Sequence, residues 1–319
     1  MQIINNPTQV DIKKAAQSLK EGHLVAFPTE TVYGLGADAT NEKAVSRIYS
    51  VKARPTDHPL IVHISSINQL GKWAIDIPEY AIKLAEEFWP GPMTLILKRS
   101  EITKDFITGD QENVGVRVPS HPVALAILSE FEKLGGLGVA APSANRFGAV
   151  SPTNSEAVVD ELGKYLGSND LIINGSNCLV GIESTIISCL GDKPSIMRPG
   201  AITFEIISEV LGNKNLNMSI KIEIKAPGNL DKHYSPRAKI LINDKPKKGE
   251  GLIALNNIET PEGVIRLLAP NNLKAFAEGL YEAFRKGDKL NLKVVSIYAP
   301  ENTGLGVAIN DRIIKAKGI

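Results

Sequence analysis

The sequence predicts an α/β protein in two unequal parts, and three observations carry that expectation. Up to about residue 212, short apolar strands such as MTLILK (93–98) and LIIN (171–174) are mixed with capped amphipathic helices, without strict βαβ regularity. Between 213 and 238 the chain becomes charged and turn-rich, with little helical periodicity. From Lys239 a fresh strand and helix pattern runs to the end. The expected division is therefore a larger domain at 1–212, a strand-and-linker segment at 213–238 and a small α/β domain at 239–319.

The elements follow in order. Thr8 is placed to cap a helix whose Ile12, Ala15, Ala16 and Leu19 share one face, with Gly22 to stop it. HLVAF (23–27) reads as a strand ending at Pro28. Asn41 caps a second helix with Ala44, Val45, Ile48 and Val51 inward, and this helix runs into the loop KARPTDHP before the strand LIVHI. A third helix, IPEYAIKLAEEFW, stops at the breaker Pro90-Gly91-Pro92. MTLILK and VGVRV are strands, and Pro122 suits the first turn of the helix that follows. GVAAPSAN is expected as a strand entering a polar loop, with a helix starting near Thr153. LIIN and ESTIISCL are strands, and Thr203 is expected to cap the last helix of the region. The tail offers KILIN, GLIALN, GVIRLL, a helix over about 271–286, VVSIYA and a closing helix.

Composition narrows the function. With 36 Lys+Arg against 35 Asp+Glu the formal net charge is only +1, which disfavours a protein whose affinity rests on many phosphate contacts along a nucleic acid. The two cysteines, Cys178 and Cys189, match no redox or zinc spacing. No targeting pattern and no bilayer-length apolar run is seen, so a cytoplasmic location is expected.

Local groupings point to anion chemistry. Lys52 and Arg54, two apart on an expected extended segment, share one side, and Pro55 and Pro59 stiffen their loop; a lysine point charge beside an arginine fork suits polyphosphate. The alternative is a solvated surface turn. His58 and His63 lack a third ligand nearby and are better taken as substrate donors than as a metal pair. FPTETVYGLG bunches Thr29, Glu30, Thr31 and Tyr33 after a strand, as a site lining does. GLGADA (34–39) fits GxGxxA but does not open a helix directly after a strand, so the dinucleotide reading is set aside. Ser143, Asn145, Ser151 and Thr153 make a small polar loop suited to an anion nest or to a plain capped turn. Arg117 between valines calls for a buried carboxylate or a bound anion. Glu183, Ser184 and Arg198 are polar tips where strands begin or end. No Ser-His-Asp triad and no catalytic carboxylate pair can be assembled.

FPTETVYGLGADA, KARPTDHPLIVH, WPGPMTLIL, VGVRVPSHP, APSANRFGAVSPT, GIESTII and IMRPG stand in the order found in the YrdC family, and the chain resembles that family's long, two-domain form. The segment from Pro227 is similar to the family's interdomain loop at Pro227, Gly228, His233, Tyr234, Ser235 and Pro236, and departs from it at Asn229, Leu230 and Asp231. The resemblance implies a large twisted mixed sheet with flanking helices and a concave positive site, plus a small C-terminal Rossmann-like domain. It implies a nucleotidyltransferase that joins L-threonine, bicarbonate and ATP into L-threonylcarbamoyl-AMP with release of pyrophosphate, the first step of N6-threonylcarbamoyladenosine formation in tRNA. By position in the motifs, Lys52, Arg54, Ser143 and Asn145 form the catalytic phosphate clamp. His58, Asn113, Ser151, Arg198 and Tyr234 touch the nucleotide, with Tyr234 closing as a lid. Thr31, His63, Arg117 and Ser184 hold threonine. Mg2+ arrives with ATP, held by substrate oxygens more than by protein side chains. A monomer is expected, with a downstream tRNA threonylcarbamoyl transferase complex as partner; weak direct contact with tRNA stays open. Two rivals are an RNA-binding module without catalysis, weakened by 5% aromatics, and a carbamoyl-transfer role in hydrogenase maturation, whose zinc-finger cysteines are missing here.

Overall fold

The computed structural model describes residues 1–212 and 234–318. The first part contains β1 (Gln2–Asn5), α1 (Gln9–Lys20), β2 (Val25–Phe27), β3 (Gly34–Asp38), α2 (Glu42–Lys52), β4 (Ile61–His63), α3 (Leu70–Trp73), α4 (Glu79–Phe88), β5 (Met93–Lys98), α5 (Asp105–Thr108), β6 (Asn113–Arg117), α6 (Pro122–Lys133), β7 (Val139–Ala140), α7 (Ser155–Leu162), β8 (Leu171–Asn174), β9 (Thr185–Ser188), β10 (Ser195–Arg198) and α8 (Phe204–Val210). The second part contains β11 (Lys239–Ile242), β12 (Gly251–Ile253), β13 (Ile265–Leu268), α9 (Leu273–Lys289), β14 (Val294–Ile297) and α10 (Leu305–Lys317).

Ten strands form one mixed sheet in the order β1-β8-β2-β3-β7-β4-β6-β5-β9-β10, and four form a second sheet in the order β11-β14-β12-β13. The second is parallel throughout. In the first, β4 and β6 run parallel with His63 opposite Arg117, while β5 and β9 run parallel with Met93 opposite Thr185. These registers bring the ends of β4, β6 and β9, and the loops around them, to one side of the sheet.

Local chemistry explains the helices. Thr8 and Asp11 make a capping box that satisfies donors at the start of α1. Ile12, Ala15, Ala16 and Leu19 then pack with Phe27, Leu128 and Phe131. Asn41 accepts the Ala44 N–H at 3.2 Å and caps α2. Pro122 opens α6, with the His121 ring accepting the Val123 N–H at 3.2 Å.

Several expectations are corrected. Lys52 is the last residue of α2, not part of an extended segment; the left-handed Ala53 (φ 49°) then reverses the chain, and this turn brings Arg54 back beside it. GLGAD is the strand β3, paired antiparallel with β2. The strand expected over GVAAPSAN covers Val139–Ala140 only, and Asn154, not Thr153, caps α7 through the Ala157 N–H at 2.8 Å. Thr203 holds the N-cap position of α8 but makes no side-chain capping bond. β1 was not expected; it is a short edge strand with one buried residue, Ile4, too brief for a periodicity signal. The strand expected within the linker, with Asn229, Leu230, Asp231 and His233, lies outside the described residues. The linker's described end is firmly packed: Tyr234 and Ala238 are buried in a cluster that joins Val32, Val150 and Ile182 of the first part to Phe276, Tyr281 and Phe284 of the second.

Candidate active site

An open cavity of about 690 Å³ lies where these strand ends and the packed end of the linker meet. Its wall includes Thr29, Thr31 and Tyr33 after β2, Lys52 and Arg54 after α2, His63 from β4, Arg117 from β6, Ser143, Asn145 and Phe147 after β7, Glu183 and Ser184 before β9, Arg198 from β10, and Tyr234. Four basic side chains thus face one carboxylate, and the nearly neutral chain concentrates positive charge here.

Each basic group is held by acceptors. The Lys52 ammonium is buried and donates to the backbone carbonyls of Ser143 and Asn145, each at 2.5 Å. Burial, with Arg54 adding repulsion, pushes it well below the usual lysine pKa, while Glu161 pulls the other way. Arg54 donates through Nη2 to the Pro59 carbonyl at 2.9 Å, and its guanidinium lies 5.6 Å from the Phe147 ring centre. Burial lowers its pKa to about 10. Arg117 donates to the Gly91 carbonyl at 3.2 Å, to Thr31 Oγ1 at 3.0 Å and to Glu30 Oε1 at 2.6 Å. Arg198 donates to the Ser184 carbonyl at 3.0 Å and to Ser184 Oγ at 3.1 Å, and Ser184 Oγ also bonds Thr94 Oγ1 at 2.7 Å.

His63 differs from these. Burial, reinforced by Arg117, lowers its pKa to about 3, so the ring is neutral at physiological pH. Among the described residues, its Nδ1 and the Asn145 Oδ1 are buried without a hydrogen-bond partner. Both belong to residues of the cavity wall. Buried polar atoms left open at a cavity fit one that takes a polar ligand.

Nine of the thirteen residues singled out from the sequence and its family resemblance meet at the wall: Thr31, Lys52, Arg54, His63, Arg117, Ser143, Asn145, Ser184 and Arg198. Tyr234 makes a tenth, held between neighbours: its ring stacks on Tyr281 at 5.6 Å and lies 5.4 Å from the Arg312 guanidinium. Three are not part of the wall. Ser151 is fully buried and gives its hydroxyl to Glu183 at 2.6 Å. His58 sets its ring edge-on to Phe147 at 5.2 Å and offers its carbonyl to Arg54. Asn113 starts β6, opposite Lys98, at the far end of the strand from Arg117.

The sequence placed Glu30 in a site lining and Glu183 at a polar strand tip, but named no partner for either. Tyr281 and Arg312 carried no signal at all, because helix periodicity places both among core positions. Glu183 accepts Ser151 Oγ on Oε1 at 2.6 Å, and Tyr281 OH at 2.7 Å and Arg312 Nε at 2.9 Å on Oε2. Burial acts to raise its pKa, but Arg312, Arg198 and these hydroxyls outweigh it and hold the carboxyl at about 2. Among the described residues, no three His, Cys, Asp or Glu side chains gather as a metal site.

Fold and site together define a two-domain α/β protein with an open, cation-lined cavity. A family model described as "Telomere recombination" (Sua5/YciO/YrdC) matches residues 17–200, and one described as "Threonylcarbamoyl-AMP synthase, C-terminal domain" matches residues 202–318. The chain belongs to the Sua5/YciO/YrdC family, in its form with the additional C-terminal domain. It is 39% identical to the threonylcarbamoyl-AMP synthase of Pyrococcus abyssi, over 96% of this chain and 94% of that one. It is 38% identical to the Bacillus subtilis protein of the same name, over 96% and 93%. The crystal structure of P. abyssi Sua5 complexed with L-threonine superposes with a TM-score of 0.89 at 36% identity, covering 100% of this chain and 98% of that one.

Proposed function

We propose that the protein is an L-threonylcarbamoyl-AMP synthase, a nucleotidyltransferase using L-threonine, bicarbonate and ATP. The observation that carries this reading is a single cavity wall that holds Lys52, Arg54 and Arg198 together with Thr31, His63, Arg117 and Ser184. Threonine's carboxylate pairs with Arg117, whose remaining N–H groups complement those given to Glu30, Thr31 and Gly91. Neutral His63 places no positive charge against the amine. The amine nitrogen bonds the carbon of bicarbonate and water leaves, giving a carbamate. A carbamate oxygen then attacks the α-phosphorus of ATP, and the bond to the β-phosphate oxygen breaks to release pyrophosphate.

This reaction asks for alignment and neutralisation of phosphate charge more than for an acid–base pair. Lys52, Arg54 and Arg198 supply that charge, and Ser143 and Asn145 complete the clamp. Mg2+ fits as a companion of the triphosphate: Glu30 and Glu183 are both engaged by arginines, so phosphate oxygens are its natural ligands. The mixed anhydride product is labile and calls for an enzyme that transfers its acyl group to tRNA, in the cytoplasm. No helix among the described residues is long and apolar enough to cross a membrane.

The test is pyrophosphate release measured with each substrate omitted in turn, with the product's mass recorded. Release that requires all three supports the reading. No ATP consumption, together with tRNA binding of steep salt dependence, would replace it with the RNA-binding role.

A further inference from the structure

Arg312 is buried at 0% exposure in α10, and it bonds to Glu183 of the cavity wall and to Pro199, the residue that follows Arg198 of the wall. Its Nε donates to Glu183 Oε2 at 2.9 Å and its Nη2 to the Glu183 carbonyl at 3.3 Å, immediately before Ser184. The same Nη2 donates to the Pro199 carbonyl at 3.0 Å, immediately after Arg198. Ser184 and Arg198 are themselves joined by two hydrogen bonds. One guanidinium from the second domain therefore brackets a wall element of the first.

It also meets a charge problem. Glu183 lines an anion cavity, and its carboxyl is ionised. A bare carboxylate there would repel phosphate and draw on the field of Arg198, its other cationic neighbour. Arg312 and Tyr281 both bond to Glu183 Oε2, and Ser151 bonds to Oε1.

We infer that Arg312 is a positioning residue of the anion site: the second domain, through Arg312 and Tyr281, masks the Glu183 carboxylate and so lowers the negative charge that a bound polyphosphate meets at the wall. This assigns the second domain a direct part in ligand affinity, and it rests on the reading of the cavity as a phosphate site.

The experiment measures binding of inorganic pyrophosphate and of ATP by calorimetry to the full chain and to Arg312→Gln, Glu183→Gln and the double variant, with melting temperature beside each. Arg312→Gln is expected to weaken both ligands by about tenfold or more, as an uncovered like charge at a binding site does. Glu183→Gln is expected to bind no more weakly than the parent, and the double variant is expected to recover most of the lost affinity even where its melting temperature stays low. Unchanged affinity in Arg312→Gln overturns the inference, as does a double variant no better than Arg312→Gln. Should Arg312→Gln fail to fold, tenfold weaker binding by Glu183→Gln overturns it. A parent that binds pyrophosphate in this order of variants but never turns over ATP with threonine would leave the inference standing and remove the synthase reading instead.

Discussion

Glu30 Oε1 lies 2.6 Å from Arg117 Nη2, and both side chains are buried, at 9% and 5% exposure. The second Glu30 oxygen accepts the Ser120 N–H at 3.1 Å, so the carboxylate clamps the chain leaving β6 as well as the guanidinium. Removing one partner of a buried pair strands the other. Glu30→Ala is expected to destabilise the protein by about 3 kcal/mol or more, seen as a lower urea midpoint.

Arg117→Ala removes the proposed threonine anchor. It is expected to raise the threonine concentration needed for half-maximal pyrophosphate release by about tenfold or more, with a smaller effect on the ATP requirement. Equal rises for both substrates would count against the assignment of Arg117 to the amino acid.

Arg54→Ala is expected to do the reverse, weakening ATP more than threonine by about tenfold or more. It also leaves the Pro59 carbonyl without its donor, which costs about 1 kcal/mol of stability. An unchanged pyrophosphate release rate in both Arg54→Ala and Arg117→Ala would sink the site assignment.

Lys52 carries a proton prediction. Its pKa is depressed by burial, and an arriving polyphosphate favours the charged form. ATP binding at alkaline pH is therefore expected to take up protons. Calorimetry in buffers of different ionisation enthalpy measures this, and Lys52→Met is expected to abolish the uptake.

His63 sets an acid limit on stability. Its folded pKa of about 3 is below the ordinary histidine value of 6.5, so the unfolded chain takes a proton first as pH falls. Stability is expected to fall with pH from about 6.5 downward, by about 1.4 kcal/mol per pH unit for this group. His121, also depressed by burial, acts in the same direction. The loss from Glu183 begins only below the ordinary glutamate value of 4.5, toward about 2. Urea midpoints at several pH values between 6.5 and 4.5 are expected to show a shallower slope in His63→Phe.

Much of this was legible in the chain. Thr8, Asn41 and Pro122 act within one helical turn, so local pattern identifies their helices. The cation-bearing loops were recognisable because Arg117 sits among apolar neighbours and Lys52 and Arg54 sit among prolines. Their charges were readable without knowing what stood opposite. The extended geometry expected for Lys52 and Arg54 failed because one left-handed residue, Ala53, decides it, and alanine carries no signal for that conformation.

By itself the sequence determined the α/β class, the two-part organisation and the kind of chemistry, because periodicity, caps and charge are properties of short windows. Tertiary structure alone decided which groups face one another. It set Ser151 on Glu183 and the His58 ring edge-on to Phe147, placed Asn113 at the far end of its strand from Arg117, and brought Arg312 from 129 residues away onto Glu183. Such pairings depend on strand register and on how the second domain packs against the first, and neither is written in the spacing of residues along the chain.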